Sequence, residues 1–369
     1  MRSEDTTPAA VARVLVNDAL QAKRGEQVVI ETWNHTLVWA AACVAEARRV
    51  GAHPLMFLED EGAFWRSLDL APSIPRWSRM GEHESAALRR SDAYLYFPGP
   101  ADRPRLHQLS PAQLSPLLRA DDAWTTQLRR AGTRALRCML GYSSDQQADR
   151  WGVPGAMWRS QLLRGIAETD YRQVRRDAER LAQRLQHGRE LRITASNGTD
   201  LTLRLKGRPA WIDDGIVDSQ DLRAGRNIAT APPGAVVVAI DERSADGTAI
   251  ASRPSYLSEG RADGGQWEIQ AGRLLQYWYT DGAGAFEAEF GRAPRGREVV
   301  SLFSIGLNAH LPAGVPQAED NEAGAVTLAL GGNTLYGGSN RCSFLSWIVI
   351  GEATVAIDGK ALCDRGSIL

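Results

Sequence analysis

Near Gly188 the spacing of apolar residues changes from helical to alternating, and that change constrains what the chain can fold into. Upstream, Val174, Ala178, Leu181 and Leu185 fall 4, 3 and 4 residues apart, which predicts a helix from Asp170 to His187 closed by Gly188. Downstream, Leu191, Ile193 and Ala195 alternate, Asn197-Gly198 turns the chain, and Leu201, Leu203 and Leu205 alternate again. That pattern predicts a β-hairpin with a type I′ turn. Further strands are expected at 235–240, 273–279, 297–304, 325–330 and 345–350, punctuated by Gly, Asp and Pro.

The first hundred residues instead alternate helix and strand. Thr7-Pro8 supplies a cap and a first-turn proline, and Val11, Leu15 and Ala19 recur at helical spacing. Val28 to Ile30, His53 to Leu58 and Ala93 to Phe97 read as strands. Leu37, Ala41, Val44 and Ala45 form one helical face, with Gly51 at the C-cap. Pro98 to Pro116 reads as loop or linker with room for a short helix, and residues 145–168 carry no clear pattern. The expected fold class is α/β: a small parallel α/β domain over residues 1–145, then a larger, mostly β mixed domain over 146–369.

Composition narrows the function. With 43 basic and 44 acidic side chains the net charge is −1, so neither nucleic acid nor a membrane surface is an expected partner. Cys43, Cys138, Cys342 and Cys363 form no C-x-x-C pair and read as reduced thiols. The polar start, with Glu4 and Asp5, does not read as a signal peptide, and no apolar run approaches bilayer length. The expected location is the cytoplasm.

The common catalytic signatures do not occur. There is no G-x-G-x-x-G after the first strand, no P-loop, no H-E-x-x-H and no G-x-S-x-G. No two of the six histidines sit at ligand spacing. His310 with Glu319, Asp320 and Glu322 has ligand chemistry, but Pro312, Gly314 and Pro316 mark an exposed loop, where acidic residues are usually solvated. Cys342 has no histidine nearby in sequence and reads as a buried structural thiol.

Several stretches taken in order resemble the thermophilic-type metalloaminopeptidases (aminopeptidase T and S) and the related dihydroxypyridine dioxygenases. These are LVNDALQAKRGEQVVIET, AACVAEARRVGAHPLMFL, GRNIATAPPGAVVVAIDERSADGTAIA, REVVSLFSIGLNAHL, GAVTLALGGNTLYGGSNRCSF and VAIDGKAL. The resemblance spans nearly the whole chain and implies a metalloaminopeptidase-like frame. It departs where that family holds its metals. The two glutamates map to Ala235 and about Leu302, one histidine maps to Thr327, and the distal ligands fall within Leu345-Ser346-Trp347. Alanine, leucine and threonine cannot hold a cation pair or acidify bound water. The frame residues Gly234, Gly306, Asn308, Gly331, Gly338 and Asn340 are kept.

The resemblance therefore implies no metal and no cofactor, and a frame that still holds peptides. The expected function is that of a peptide-binding protein which binds a precursor or substrate peptide and presents or shapes it for modifying enzymes of natural-product biosynthesis. It is similar in that respect to the metal-less relatives of ribosomal peptide pathways (the crocagin type). Expected contacts at the old site are Arg226, Asn227, Asn308, Tyr336, Asn340 and Arg341, and eleven tryptophans add anchoring surface. A metal-independent acid–base enzyme using Asp241 and Glu242 is the alternative. An active metallohydrolase ranks below it. The family frame also implies a homodimer.

Overall fold

The computed structural model describes residues 6–70 and 80–369, so Glu4 and Asp5 lie outside it. Two compact units emerge. The first comprises residues up to 149 together with 153–171 and 215–232, and the second comprises 150–152, 172–214 and 233–369. The first unit thus takes in two segments that a boundary at 145/146 assigns to the other side. One reason is Ile228–Ala231, which pairs in parallel with Arg134–Cys138 and completes the first unit's sheet.

That sheet is wholly parallel, in the order His53–Glu59, Gln27–Trp33, Ala93–Tyr96, Arg134–Cys138, Ile228–Ala231. Val28, Val29, Ile30, Tyr94, Leu95, Ala135 and Leu136 are buried, the continuous apolar runs of strands covered on both faces. The helix Leu37–Arg49 forms where expected but buries a different stripe. Ala40, Cys43, Glu46 and Ala47 point inward, while Leu37, Ala41 and Ala45 are exposed. Small side chains let the helix lie close on the sheet, and Glu46 is tolerated because Arg49 and Asn17 bind its carboxylate.

Two stretches read as irregular are helical. Arg103–Leu106 and Pro111–Ala131 occupy the proline-rich region, because Pro111 sits at the first helical position behind a Ser110–Gln113 capping box. Asp145–Trp151 and Gly155–Ala167 fill the region that carried no pattern.

In the second unit the helix Tyr171–His187 buries Val174, Ala178, Leu181 and Leu185, as their spacing predicts. An eight-stranded and a five-stranded antiparallel-rich sheet share one core with it. The hairpin of Glu190–Thr194 and Asp200–Arg204 is present, but its turn differs from expectation. Gly198 has φ +98° while Asn197 does not enter the left-handed region, and the Gly198 N–H bonds to the Ala195 carbonyl. One left-handed residue after an ordinary turn gives a three-residue loop with a glycine bulge, not a type I′ turn. No helix among the described residues is long and apolar enough to cross a membrane.

Candidate functional site

The five-stranded sheet of the second unit runs Leu345–Ile350, Val326–Gly331, Val300–Gly306, Ala235–Ala239, Trp211–Asp213. Alternate residues face opposite ways. Val236, Val238, Phe303, Ile305, Leu328, Ile348 and Ile350 join the main core. The other face carries two cross-strand rows. One is Ala239, Leu302, Ala329 and Trp347, and the second is Trp211, Val237, Ser304, Thr327 and Val349. A bulge between Val300 and Leu302 turns Leu302 to this face and leaves Val300 in the core.

Ala239, Leu302 and Ala329 pack with Val237, Tyr336 and Trp347, and the Tyr336 ring lies 5.2 Å from that of Trp211 at 57°. Within this apolar surface, Ser304 and Thr327 sit directly opposite one another. Both are buried, and neither hydroxyl has a hydrogen-bond partner among the described residues. An unmet buried hydroxyl costs about 1–3 kcal/mol, so two side by side require an explanation.

An acid supports the face from behind. Trp347 Nε1 donates to Glu319 Oε1 at 3.2 Å, while Glu319 Oε2 is buried without a partner. Burial pushes the Glu319 carboxyl up to about 8; the Asp320 carboxylate adds to the rise and the hydrogen bond from Trp347 opposes it. The rest of its loop is held elsewhere. Glu322 pairs with Arg253 at 2.6 Å and accepts the Gly314 N–H, and the His310 N–H bonds to Asn308 Oδ1. Among the described residues no three His, Cys, Asp or Glu side chains come together as a metal-holding group. Two neutral hydroxyls set in hydrocarbon do not make a donor set for the cation pair that a metallopeptidase needs.

Asp241 and Glu242 are both ion-paired. Asp241 pairs with Lys206 at 2.9 Å. Glu242 accepts from Arg208 (2.8 Å), Asn333 Nδ2 (3.0 Å), and the Ser339 N–H and hydroxyl (2.8 and 3.0 Å). Burial works to raise its pKa, but the hydrogen bonds from Arg208, Ser339 and Asn333 hold it well below the usual carboxylate range. A carboxylate so held fastens the 333–339 loop.

The six expected contact residues have different fates. Tyr336 lies on the face, and Arg341 is exposed beyond it on the same loop. Asn308 is fully buried, donating to the Pro233 carbonyl at 2.9 Å. Asn340 donates to the Gly296 and Gly331 carbonyls at 2.8 and 2.6 Å. Arg226 and Asn227 belong to the first unit, where Arg226 pairs with Asp221 and Asn227 donates to the Thr133 carbonyl. Trp211 and Trp347 are among the eleven tryptophans read as anchoring surface, whereas sequence reasoning did not single out Ser304. The period-two alternation around Thr327 was the available signal for Ser304.

No protein-family profile matches the chain, and no curated protein matches it. Solved structures that share its fold include two enzymes. They are wild-type AmpT (aminopeptidase T) from Thermus thermophilus, TM-score 0.73, and 2,5-dihydroxypyridine dioxygenase from Pseudomonas putida KT2440, TM-score 0.64. Each is 16% identical, and each match covers 98% of both chains. The chain therefore has a metalloaminopeptidase-like fold: a small parallel α/β unit and a larger, mostly β unit.

Proposed function

We propose that this chain is a metal-independent peptide-binding protein. It takes a precursor or substrate peptide on the face of the five-stranded sheet and holds it for modifying enzymes of a peptide natural-product pathway. The observation that carries this reading is the opposed pair Ser304 and Thr327, two unmatched hydroxyls within an aromatic and aliphatic surface. A peptide offers both partners such a surface lacks, amide groups for the hydroxyls and side chains for Trp211, Tyr336 and Trp347. Peptide sites in general combine apolar contact with a few placed polar groups.

The test has two parts. Elemental mass spectrometry of the purified chain, after soaking with zinc, manganese and iron, should find less than about a tenth of an equivalent of metal after dialysis. Calorimetric titration with pathway and library peptides should find micromolar or tighter binding, weakened about tenfold by Thr327→Val with Ser304→Ala. A stoichiometric metal, or a screen in which no peptide binds, defeats the proposal.

A further inference from the structure

The first unit has a cavity of about 470 Å³. Its walls come from segments that immediately follow three parallel strands: Asn34 to Thr36 after Gln27–Trp33, Ala101 after Ala93–Tyr96, and Leu140 to Gln146 after Arg134–Cys138. In this sheet the chain passes from Gln27–Trp33 outward to His53–Glu59, then returns to Ala93–Tyr96 on the opposite side. The direction of winding thus reverses between Gln27–Trp33 and Ala93–Tyr96. Open parallel sheets bind ligands in the crevice beyond the carboxyl ends of their strands at such a reversal.

The chemistry of the walls narrows the ligand. His35 Nε2 lies 2.9 Å from the Gly141 carbonyl, which can only accept, so that nitrogen carries the proton. In the tautomer that this bond sets, Nδ1 is the acceptor nitrogen, and it is buried with no partner among the described residues. Asp145, whose side chain is 76% exposed, gives Oδ1 to Arg159 at 2.8 Å and is one carboxylate of the wall. Glu61 is occupied by the Ala101 and Asp102 N–H groups and the Trp65 indole, and it adds a further negative charge. The wall is therefore rich in acceptors and carries two carboxylates against one guanidinium. Trp39, Leu140 and Ala101 supply its apolar part.

We propose that this cavity is a second binding site, for a primary ammonium borne on an apolar stem. The ammonium N–H groups satisfy His35 Nδ1 and the Asp145 carboxylate, and the stem lies along Trp39. The site is independent of the peptide-binding reading, because no residue of the second unit enters the argument.

The test uses the full chain and three probes of one shape: phenethylamine, 2-phenylethanol and 3-phenylpropionate. Calorimetry should show the amine binding about tenfold tighter than the alcohol, the equivalent of one charge-assisted hydrogen bond. Nitrogen NMR of the histidine-labelled protein should show the His35 Nδ1 resonance moving with the amine alone, His35→Gln identifying the signal. Asp145→Asn should abolish the preference for the amine. Equal binding of all three, tighter binding of the acid, or no binding at all overturns the proposal. Should Asp145→Asn not fold, the charge series and the His35 resonance in the unaltered chain decide alone. Loss of amine binding leaves peptide titration of Thr327→Val unaffected, so the two sites fail separately.

Discussion

Glu319 and Trp347 are joined by a hydrogen bond of 3.2 Å from the indole nitrogen to the carboxyl, which couples a fully buried acid to a ring on the candidate face. Tyr256, hydrogen-bonded to the Gly314 carbonyl, and the Asp320 carboxylate complete the ionisable surroundings of that acid.

Burial of Glu319 makes stability fall with rising pH. Unfolded, Glu319 titrates in the ordinary range near ~4.3. Folded, it titrates at about 8. Between those values the folded chain holds a proton that the unfolded chain has released. The stabilisation is therefore complete below the lower value and is lost as pH rises through the upper one. Urea unfolding at about pH 5 and about pH 9 should differ by a few kcal/mol from this group, and Glu319→Gln should remove that difference. Equal pH dependence in both proteins refutes the raised pKa of Glu319.

Glu242 behaves in the opposite sense. Its depressed pKa gives stability that is present above the ordinary carboxylate range and lost as pH falls. Glu242→Gln leaves Arg208, whose side chain is only 13% exposed, without its counter-charge, and should cost about 3–5 kcal/mol. Hydrogen exchange at Ser339 and Asn340 should quicken. Asp241→Asn, by contrast, loses a pair with the exposed Lys206 and should cost at most about 1 kcal/mol. Similar small losses from both substitutions, together with loss of a peptide-modifying activity, would restore the acid–base reading.

The paired hydroxyls separate stability from binding. Neither Ser304 nor Thr327 gains a hydrogen bond from the described residues on folding, so Ser304→Ala and Thr327→Val should leave stability unchanged or raise it by up to about 1 kcal/mol. Peptide affinity should drop over the same substitutions. A marked fall in the denaturation midpoint shows instead that the hydroxyls bond within the protein.

How far the sequence reveals this arrangement depends on how local each signal is. The alternation of Leu191 to Leu205 and the spacing of Val174 to Leu185 report directly on burial, and both elements form. The stripe of Leu37–Arg49 was misplaced because alanines carry little hydropathy contrast, and only contact with the sheet decides which of them are covered. Ser110-Pro111 is a helix start that proline content disguises. The candidate face is assembled across strands by register, so the opposition of Ser304 to Thr327 is not local information. Glu319 reads as one acid in a polar loop, and its pairing with Trp347 spans 28 residues.

Asn308 shows how a motif residue is kept for the frame instead of the ligand. Gly234 has φ +127°, and a Cβ there would lie 2.9 Å from the Asn308 backbone nitrogen. The two segments therefore meet backbone to backbone, and the Asn308 side chain clamps them through the Pro233 carbonyl and the His310 N–H. Asn308→Ala removes both bonds in a fully buried place and should cost about 2–4 kcal/mol. Gly234→Ala should destabilise as well, through the left-handed backbone and the close approach. Thermal unfolding measures both, and peptide titration well below the transition should find affinity nearly intact for the protein that remains folded. Asn308→Ala with an unchanged midpoint and weakened peptide binding would return Asn308 to the contact surface, because only a ligand could then be using its amide.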